Sequence, residues 1–296
     1  MMRLLISTAA MVLTCSAIAT MLANSRPAFA GDDEVIQADR AWTEALEMSD
    51  QQSARKLEDA DFSWIDQDGI MWSKEDALQA ELKPLVGTGS EVKVSEHKYG
   101  NVVLVQQNDG NKYAGHFWVR RADGWRLLHT IEVAVRKRDF KTVEPTYDIP
   151  CINPCKEVPY KALTENEKGA LAGWQEQESS PAGWDKRVAD AERAVHTYGG
   201  LGAAKADRIA TRNRQAQSHP NAPSVGSAPV LWMRMWDFGD AVVAIMCQPT
   251  YGDKPYWASR IFAKNNGIWQ MAESYHSWIQ AAPVMTAPPS KDKSSE

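Results

Sequence analysis

An internal repeat is the feature of this 296-residue chain that most constrains its fold. Landmarks of the first half return in the same order in the second half. The matched landmarks are Trp42 with Trp174, the turn at 99–101 with that at 238–240, and the turn at 123–125 with that at 266–268. Because element order, turns and tryptophans agree together, the sequence predicts two tandem copies of one domain. The second copy is longer, and we place much of the excess in the Pro- and Ser-rich segment 218–229.

Each copy begins with helical patterns and ends with strands. In the first copy the apolar spacing predicts helices at 35–46 and 53–58, short strands at 61–65 and 70–72, and a third helix capped by Ser73. From residue 92 the apolar period becomes two, which predicts four strands joined by hairpin turns. Their predicted bounds are 92–99, 101–107, 112–121 and 125–135. Helices followed by a meander of long strands indicate an α+β fold.

The first thirty residues predict export. Arg3 precedes an uncharged apolar run, and Ala28-Phe29-Ala30 has the small-residue form of a signal-peptidase site. The alternative is an uncleaved anchor, because about 20 apolar residues can span a bilayer. The acidic residues that follow favour cleavage after Ala30 and a periplasmic or secreted protein without membrane contact.

The remaining chain divides into domains and connecting segments. We expect a first domain at 31–138, a Pro-rich linker at 139–162, a second and divergent domain at 163–282, and a disordered tail at 283–296. The linker holds Cys151 and Cys155, which could form a disulfide in an oxidising compartment. Free thiols and a metal site are the alternatives, although no further His or Cys lies near this pair in the sequence.

Charge and motifs restrict the function. The chain has 33 basic and 38 acidic residues and no Lys/Arg-rich block, so we expect no nucleic acid or anionic membrane as a partner. Nucleophile-elbow, phosphate-loop and H-E-x-x-H motifs are missing from the sequence. We therefore expect no nucleotide, no metal, no other cofactor and no covalent nucleophile.

Several motifs of the first domain resemble one superfamily, that of nuclear transport factor two, ketosteroid isomerase and SnoaL-like polyketide cyclases. The motifs are Ala38-x3-Trp42-x2-Ala45, Asp61-Phe62-x-Trp64-x3-Asp68-Gly69, Ser73-Lys74-Glu75-x2-Leu78, Tyr99-Gly100-Asn101-Val102-Val103 and Asp123-Gly124-Trp125-Arg126-Leu127-Leu128-His129. The resemblance implies a cone, in which a strongly curved sheet wraps around helices and leaves a pocket at its open end. Members often dimerise through their sheets, so we expect the two copies to pack as an intramolecular pseudo-dimer that could be monomeric overall.

His129 is the first candidate for chemistry. Alternation along the last strand puts it with Leu127 and Ile131 on an apolar face that we expect to meet the helices or the pocket. A half-buried imidazole can act as a general base, whereas the alternative is a core histidine bonded to a neighbour. Glu273 takes the matching place in the second copy, which favours a pocket position because burying an ionisable group is costly.

Carboxylates and tryptophans are the other candidates. Isomerase chemistry, implied by the resemblance, needs a carboxylate base, for which Asp66 and Asp68 are candidates. Asp is also favoured in turns for backbone reasons alone. Tryptophans of the first domain would line a pocket for a flat or apolar ligand, or fill a small core. These tryptophans are Trp64, Trp72 and Trp118.

The sequence thus predicts that the first domain binds a small apolar or aromatic molecule. One alternative is a lyase, isomerase or cyclase that uses acid–base chemistry in the same pocket. Another is a pseudo-dimeric interaction scaffold without an active pocket. In each case we expect the second domain chiefly to complete the dimer.

Overall fold

The computed structural model describes residues 31–137, 151–218, 228–249 and 254–280. The expected signal peptide, the first part of the linker, most of the loop at 218–229 and the tail lie outside the described residues. No helix in these ranges is long and apolar enough to cross a membrane. Cys151 and Cys155 form a disulfide with their Cα atoms 5.6 Å apart.

The first copy combines three helices with one sheet. Its elements are α1 (Gly31–Glu47), α2 (Gln51–Leu57), β1 (Glu58–Ile65), β2 (Met71–Ser73), α3 (Lys74–Gln79), β3 (Lys93–Tyr99), β4 (Val102–Asp109), β5 (Lys112–Arg121) and β6 (Gly124–Ala134). The four predicted long strands are present with bounds that differ by at most two residues. Strand β1 begins earlier than predicted because its acidic residues find partners far along the chain, as Asp59 does with Arg121.

The second copy repeats this order. Its elements are α4 (Glu165–Ser179), α5 (Pro181–Arg187), β7 (Val188–His196), β8 (Gly200–Leu201), α6 (Lys205–Ser218), β9 (Trp232–Asp237), β10 (Ala241–Gln248), β11 (Tyr256–Asn265) and β12 (Ile268–Trp278). Each copy forms an open six-stranded sheet, in the orders β2-β1-β6-β5-β4-β3 and β8-β7-β12-β11-β10-β9. The predicted α+β fold with two tandem copies is confirmed by these matching sheets.

Local signals set the helix ends. The Ser73 side chain accepts a hydrogen bond from the Asp76 N–H, as the capping pattern predicts for α3. Asp50 caps α2 through Ser53, and Thr164 caps α4 through Glu167. Each of these caps satisfies a backbone N–H group that has no partner inside its helix.

Buried apolar side chains form three large clusters. One lies between the helices and sheet of the first copy and contains Trp42 and Trp118, and another does the same in the second copy around Trp174. A third joins the two sheets, because it contains Phe117 of β5 together with Tyr275 of β12. The helices therefore cover one face of each sheet, and the other faces pack against each other.

Equivalent positions of the two copies make equivalent contacts across the sheets. Gly69 has φ +74°, and a Cβ atom there would lie 2.5 Å from the Trp278 carbonyl oxygen. Trp257 donates from Nε1 to the Gly69 carbonyl oxygen at 2.9 Å. In the second copy Gly200 has φ +65° and a Cβ atom there would lie 3.2 Å from the Tyr113 hydroxyl. Both glycines thus allow a close approach that a side chain would block.

Candidate functional site

His129 and Glu273 lie between the two sheets rather than inside a cone. Strand β6 has a bulge where Phe117 pairs with His129 and Trp118 pairs with Leu127. The extra residue, Leu128, shifts the alternation, so that residues beyond it face the opposite side from the one the simple period of two predicts. Strand β12 has the same irregularity before Glu273.

The His129 ring is held on both sides by protein groups. Its Nδ1 lies 2.9 Å from the Ser63 hydroxyl, and its Nε2 lies 2.8 Å from the hydroxyl of Ser259 in the second copy. Burial lowers the pKa of His129 to about 3, so the ring is neutral at neutral pH. The ring is fully buried and bridges the two sheets.

Glu273 also bridges the two copies. Its Oε1 accepts a hydrogen bond from the Tyr99 hydroxyl at 2.6 Å, and His97 Nδ1 lies 2.8 Å from the same oxygen. Arg193 lies 3.6 Å from the same oxygen. Burial, with the Glu273 charge beside it, raises the pKa of Tyr99 above its ordinary value. This cluster fixes the second sheet against β3 of the first.

The three tryptophans predicted to line a pocket in the first copy pack within the fold. Trp64 and Trp118 are buried, and Trp72 is half-buried. Trp72 donates from Nε1 to Asp66 at 2.8 Å, and the other Asp66 oxygen accepts two backbone N–H groups of its own turn. Asp68 pairs with Arg136 at 2.6 Å. Both acids therefore have partners that explain their place in the turn.

Asp39 is a buried group that the sequence reasoning did not single out. It accepts hydrogen bonds from three side chains across the interior of the first cone: Gln107 at 2.7 Å, His116 at 2.7 Å and Trp118 at 2.8 Å. The available signal was an acid on the apolar face of α1, three residues before Trp42. Its partners come from strands about seventy residues away, which periodicity cannot reveal.

Glu132 is the other buried acid of the first cone. Burial raises its pKa to about 8, although the Leu85 N–H donates to Oε1 at 2.6 Å. At neutral pH this carboxyl group therefore keeps its proton for most of the time. Glu132 and Asp39 thus place two acids beside the large buried aromatic side chains of the first cone, such as Trp64 and Trp118.

The second cone contains a cavity of about 140 Å³. Both helices and strands of the second copy contribute to its wall. The lining residues are Gln177, Glu178, Trp184, Glu192, Ala194, His196, Arg208, Ala228, Gln248, Tyr256, Arg260, Met271, Ser274 and His276. Polar side chains dominate this wall, in contrast to the apolar pocket expected from the sequence.

The cavity exists because the second copy has smaller side chains at a key position. Trp64 pairs with Thr130 in the first sheet, and Ala194 pairs with Ser274 in the second. These pairs occupy corresponding places, so Ala194 stands where Trp64 fills the first cone. Replacing an indole by a methyl group opens space that the sheet and helices do not close.

Two imidazoles face each other in this cavity. The rings of His196 and His276 are 4.4 Å apart between centroids and nearly perpendicular. Burial lowers the pKa of His196 to about 4 and that of His276 well below its usual range, and the charges of Arg208 and Arg260 act in the same direction. Both rings are neutral at neutral pH and can accept a hydrogen bond.

One of these two rings has a nitrogen atom without a hydrogen-bond partner among the described residues. The Nε2 atom of His276 lies 2.9 Å from the Ser274 hydroxyl. The Nδ1 atom of His196 is buried and finds no hydrogen-bond partner in the described part of the chain. The strand register places Asp66 and Glu132 of the first copy at the positions of these histidines. An acid pair in one cone thus corresponds to an imidazole pair in the other.

Two arginines complete the cavity wall. Arg208 donates from Nη1 to Glu192 at 2.5 Å, and burial raises the pKa of that carboxyl group. Arg260 is 6% exposed, and among the described residues it donates only to neutral oxygens, those of Ser274 and Gln248, each at 3.3 Å. Among the described residues, no group of three or more His, Cys, Asp or Glu side chains could hold a metal ion.

Comparison with solved structures finds NTF2-like proteins. An NTF2-like protein from Cytophaga hutchinsonii is 15% identical over 36% of this chain and all of its own, with a TM-score of 0.28. A putative dehydratase of the NTF2-like family from Streptomyces avermitilis is 20% identical over 35% of this chain and 95% of its own, with a TM-score of 0.28.

A putative ketosteroid isomerase from Parabacteroides distasonis is 9% identical over 37% of this chain and 85% of its own, with a TM-score of 0.27. These neighbours carry the names of the superfamily that the motifs of the first domain resemble. No protein-family model and no curated protein matches the chain.

Proposed function

We propose that this protein binds a small polar molecule in the cavity of its second cone domain. The observation that carries the proposal is a cavity of about 140 Å³ whose wall holds buried polar atoms without partners. Buried polar groups are nearly always satisfied, so unsatisfied ones around a cavity indicate an occupant that supplies their hydrogen bonds. A pocket with convergent polar groups is the usual form of a small-molecule site.

The size of the cavity limits the ligand. An engineered protein cavity of about 150 Å³ accepts benzene, so we expect a ligand of about six to eight non-hydrogen atoms here. The apolar molecule expected in the first cone is less well supported, because Trp64 and Trp118 are both buried in the apolar cluster of that copy and Trp118 donates to Asp39.

We further propose that the first domain serves as a packing partner in an intramolecular pseudo-dimer. The shared apolar cluster, the Gly69 and Gly200 contacts and the hydrogen bond between His129 and Ser259 support this role. Export to the periplasm or beyond is part of the same proposal. The disulfide between Cys151 and Cys155 supports export, since disulfides persist in oxidising compartments.

A cavity-filling variant tests the binding site. Ala194→Trp places the side chain of the first copy into the second cone, and we expect it to abolish binding while the protein remains folded. The measurement is thermal stabilisation and calorimetric titration with a panel of polar compounds of up to about eight non-hydrogen atoms. The matched control, Ala191→Leu, enlarges an exposed alanine of the same strand and should bind like the unaltered protein.

Two outcomes would contradict the proposal. One is that no compound of the panel stabilises the unaltered protein. The other is that a compound binds the unaltered protein and Ala194→Trp with equal affinity. Either result would leave the interaction scaffold as the better interpretation of the fold.

A second candidate function, acid–base catalysis, is suggested by the placement of His196 and His276 face to face in the cavity wall. An imidazole that is neutral at working pH can take a proton from a bound substrate. If the protein is a lyase or isomerase, His196→Gln and His276→Gln should still bind a converted compound of the panel but stop its conversion. Proton NMR of the mixture over time measures this, and equal conversion by both variants would exclude these bases.

A further inference from the structure

Arg260 is a buried cation in the second cone that lacks a charged partner. It is 6% exposed, and none of the ion pairs among the described residues includes it. Its Nη1 atom is buried and makes no hydrogen bond in the part of the chain that the structure describes. A buried guanidinium group without a carboxylate is costly, because its attraction to a counter-charge normally offsets part of the loss of water.

The two carboxylates of the cavity wall bind groups other than Arg260, although Glu192 Oε1 is buried without a hydrogen-bond partner among the described residues. Glu192 accepts the hydrogen bond from Arg208. Glu178 accepts hydrogen bonds from Trp174 Nε1 at 2.8 Å and from Gln177 Nε2 at 3.1 Å. These two carboxylates therefore balance Arg208 and orient α4. Neither forms an ion pair with Arg260 in the described part of the chain, although the charge of Arg260 opposes the rise in the pKa of Glu192.

The guanidinium plane of Arg260 is held in place. Its central carbon lies 5.0 Å from the centroid of the Trp174 ring, which fixes the plane by stacking. The Nε and Nη2 atoms are bound by Ser274 and Gln248. Only Nη1 lacks a partner, on a side chain that lines the cavity.

In the first copy, the residue that corresponds to Arg260 has a carboxylate partner. Strand register matches Arg260 with His116, since both pair with the corresponding residue of the last strand. His116 bonds to Asp39, which lies three residues before Trp42 on α1. The corresponding residue of α4, three before Trp174, is Leu171. The second copy has thus kept a basic group and lost its carboxylate, and a cavity lies beside it.

We propose that the ligand of the second cone is a small carboxylate, whose anionic group binds Arg260 in the role that Asp39 has in the first cone. This proposal rests on the binding site proposed above and adds the chemical class of its ligand. Arginine suits a planar carboxylate because its N–H groups match the two oxygens. The neutral His196 and His276 would bind the other polar groups of the ligand.

The test compares carboxylates with their own amides. Butyrate, 2-hydroxybutyrate and cyclopentanecarboxylate are titrated calorimetrically into the full mature chain at neutral pH, beside the corresponding amides. We expect each carboxylate that binds to do so at least about tenfold more tightly than its amide, because a charge-assisted hydrogen bond is stronger than a neutral one. Inorganic phosphate and chloride are titrated as competing anions.

Variants assign the preference to Arg260. Arg260→Gln should reduce the preference for carboxylate over amide to less than about threefold, and Arg260→Lys should retain part of it. The control Arg120→Gln removes an exposed guanidinium group of β5 and should leave the preference unchanged. Circular dichroism checks that Arg260→Gln remains folded, and affinity for the amides shows that its cavity is intact.

The outcomes separate this inference from the proposed function. Equal binding of carboxylates and amides would overturn the carboxylate inference while leaving the binding site in place. The same holds if only phosphate or chloride binds, or if Arg260→Gln keeps the full preference. Failure of every compound would overturn both, and loss of binding in Ala194→Trp with unchanged carboxylate affinity in Arg260→Gln would overturn only the inference.

Discussion

Single buried residues decide the electrostatics of the two cones. Glu132 keeps its proton at neutral pH because burial raises its pKa to about 8. At the corresponding position His276 stays neutral because burial and two arginines lower its pKa. Opposite residue types thus reach the same uncharged state by the same cause, the loss of water around the ionised form. Arg260 differs from both because it is buried and charged, which is why we propose that it binds an anionic ligand.

The raised pKa of Glu132 predicts a pH dependence of stability. The folded protein holds this proton up to about pH 8, whereas the unfolded chain releases it near the ordinary value of 4.5. The free energy of unfolding should therefore fall as pH rises from 4.5 to 8. Glu132→Gln should remove this contribution and be more stable than the unaltered protein at pH 8, by up to about 4 kcal/mol.

Urea unfolding at several pH values measures this effect. The control Glu44→Gln alters an exposed acid of α1 and should follow the unaltered protein at each pH. Parallel pH profiles for Glu132→Gln and the unaltered protein would show that Glu132 is ionised in the folded state.

At the scale of elements, helix ends follow local sequence and strand faces do not. Ser73 and Thr164 cap their helices through residues three positions ahead. The face of His129, in contrast, depends on how β6 pairs with β5, where one extra residue reverses the alternation. A cap is encoded within one turn of helix, whereas a bulge is a property of two strands.

The cap of α4 gives a prediction at this scale. Thr164→Ala removes the acceptor for the Glu167 N–H at 3.1 Å, so we expect a loss of about 1–2 kcal/mol in the free energy of unfolding. Thr164→Ser should retain most of the stability. Thr211→Ala makes the same change at an exposed position inside α6 and should be close to neutral. Thermal unfolding measures all three, and equal destabilisation by both alanine variants would contradict a capping role.

At the scale of the whole molecule, the contact between the sheets joins the copies. Gly115 of β5 lies against the ring of Tyr275, and a Cβ atom there would be 2.9 Å from the ring. The corresponding residue of β11 is Ser259, whose hydroxyl contacts His129. The two copies therefore use matching positions of the same interface in different ways, one for close packing and one for a hydrogen bond.

Gly115→Ala tests this close contact. The added methyl group must displace the Tyr275 ring, and we expect a loss of about 1–3 kcal/mol in the free energy of unfolding. Gly89→Ala is the control, because a Cβ atom there meets open space. In a double-mutant cycle with Tyr275→Ala, the double variant should lose less free energy of unfolding than the sum of the losses in the two single variants. Full additivity, measured by urea unfolding, would show that the two residues do not contact each other.

The sequence by itself determined the order of helices and strands, the tandem repeat and the caps and turns. These depend on neighbours within a few residues, so periodicity and turn chemistry report them directly. The tertiary structure decided where a ligand could bind. His129 and Glu273 face the partner sheet because of bulges, and the second cone is open because Ala194 stands where Trp64 fills the first. The unpaired charge of Arg260 likewise depends on Leu171, which lies far away in the chain. Whether a cavity forms and whether a buried charge is paired depend on side chains from several elements, so a local sequence pattern cannot predict either.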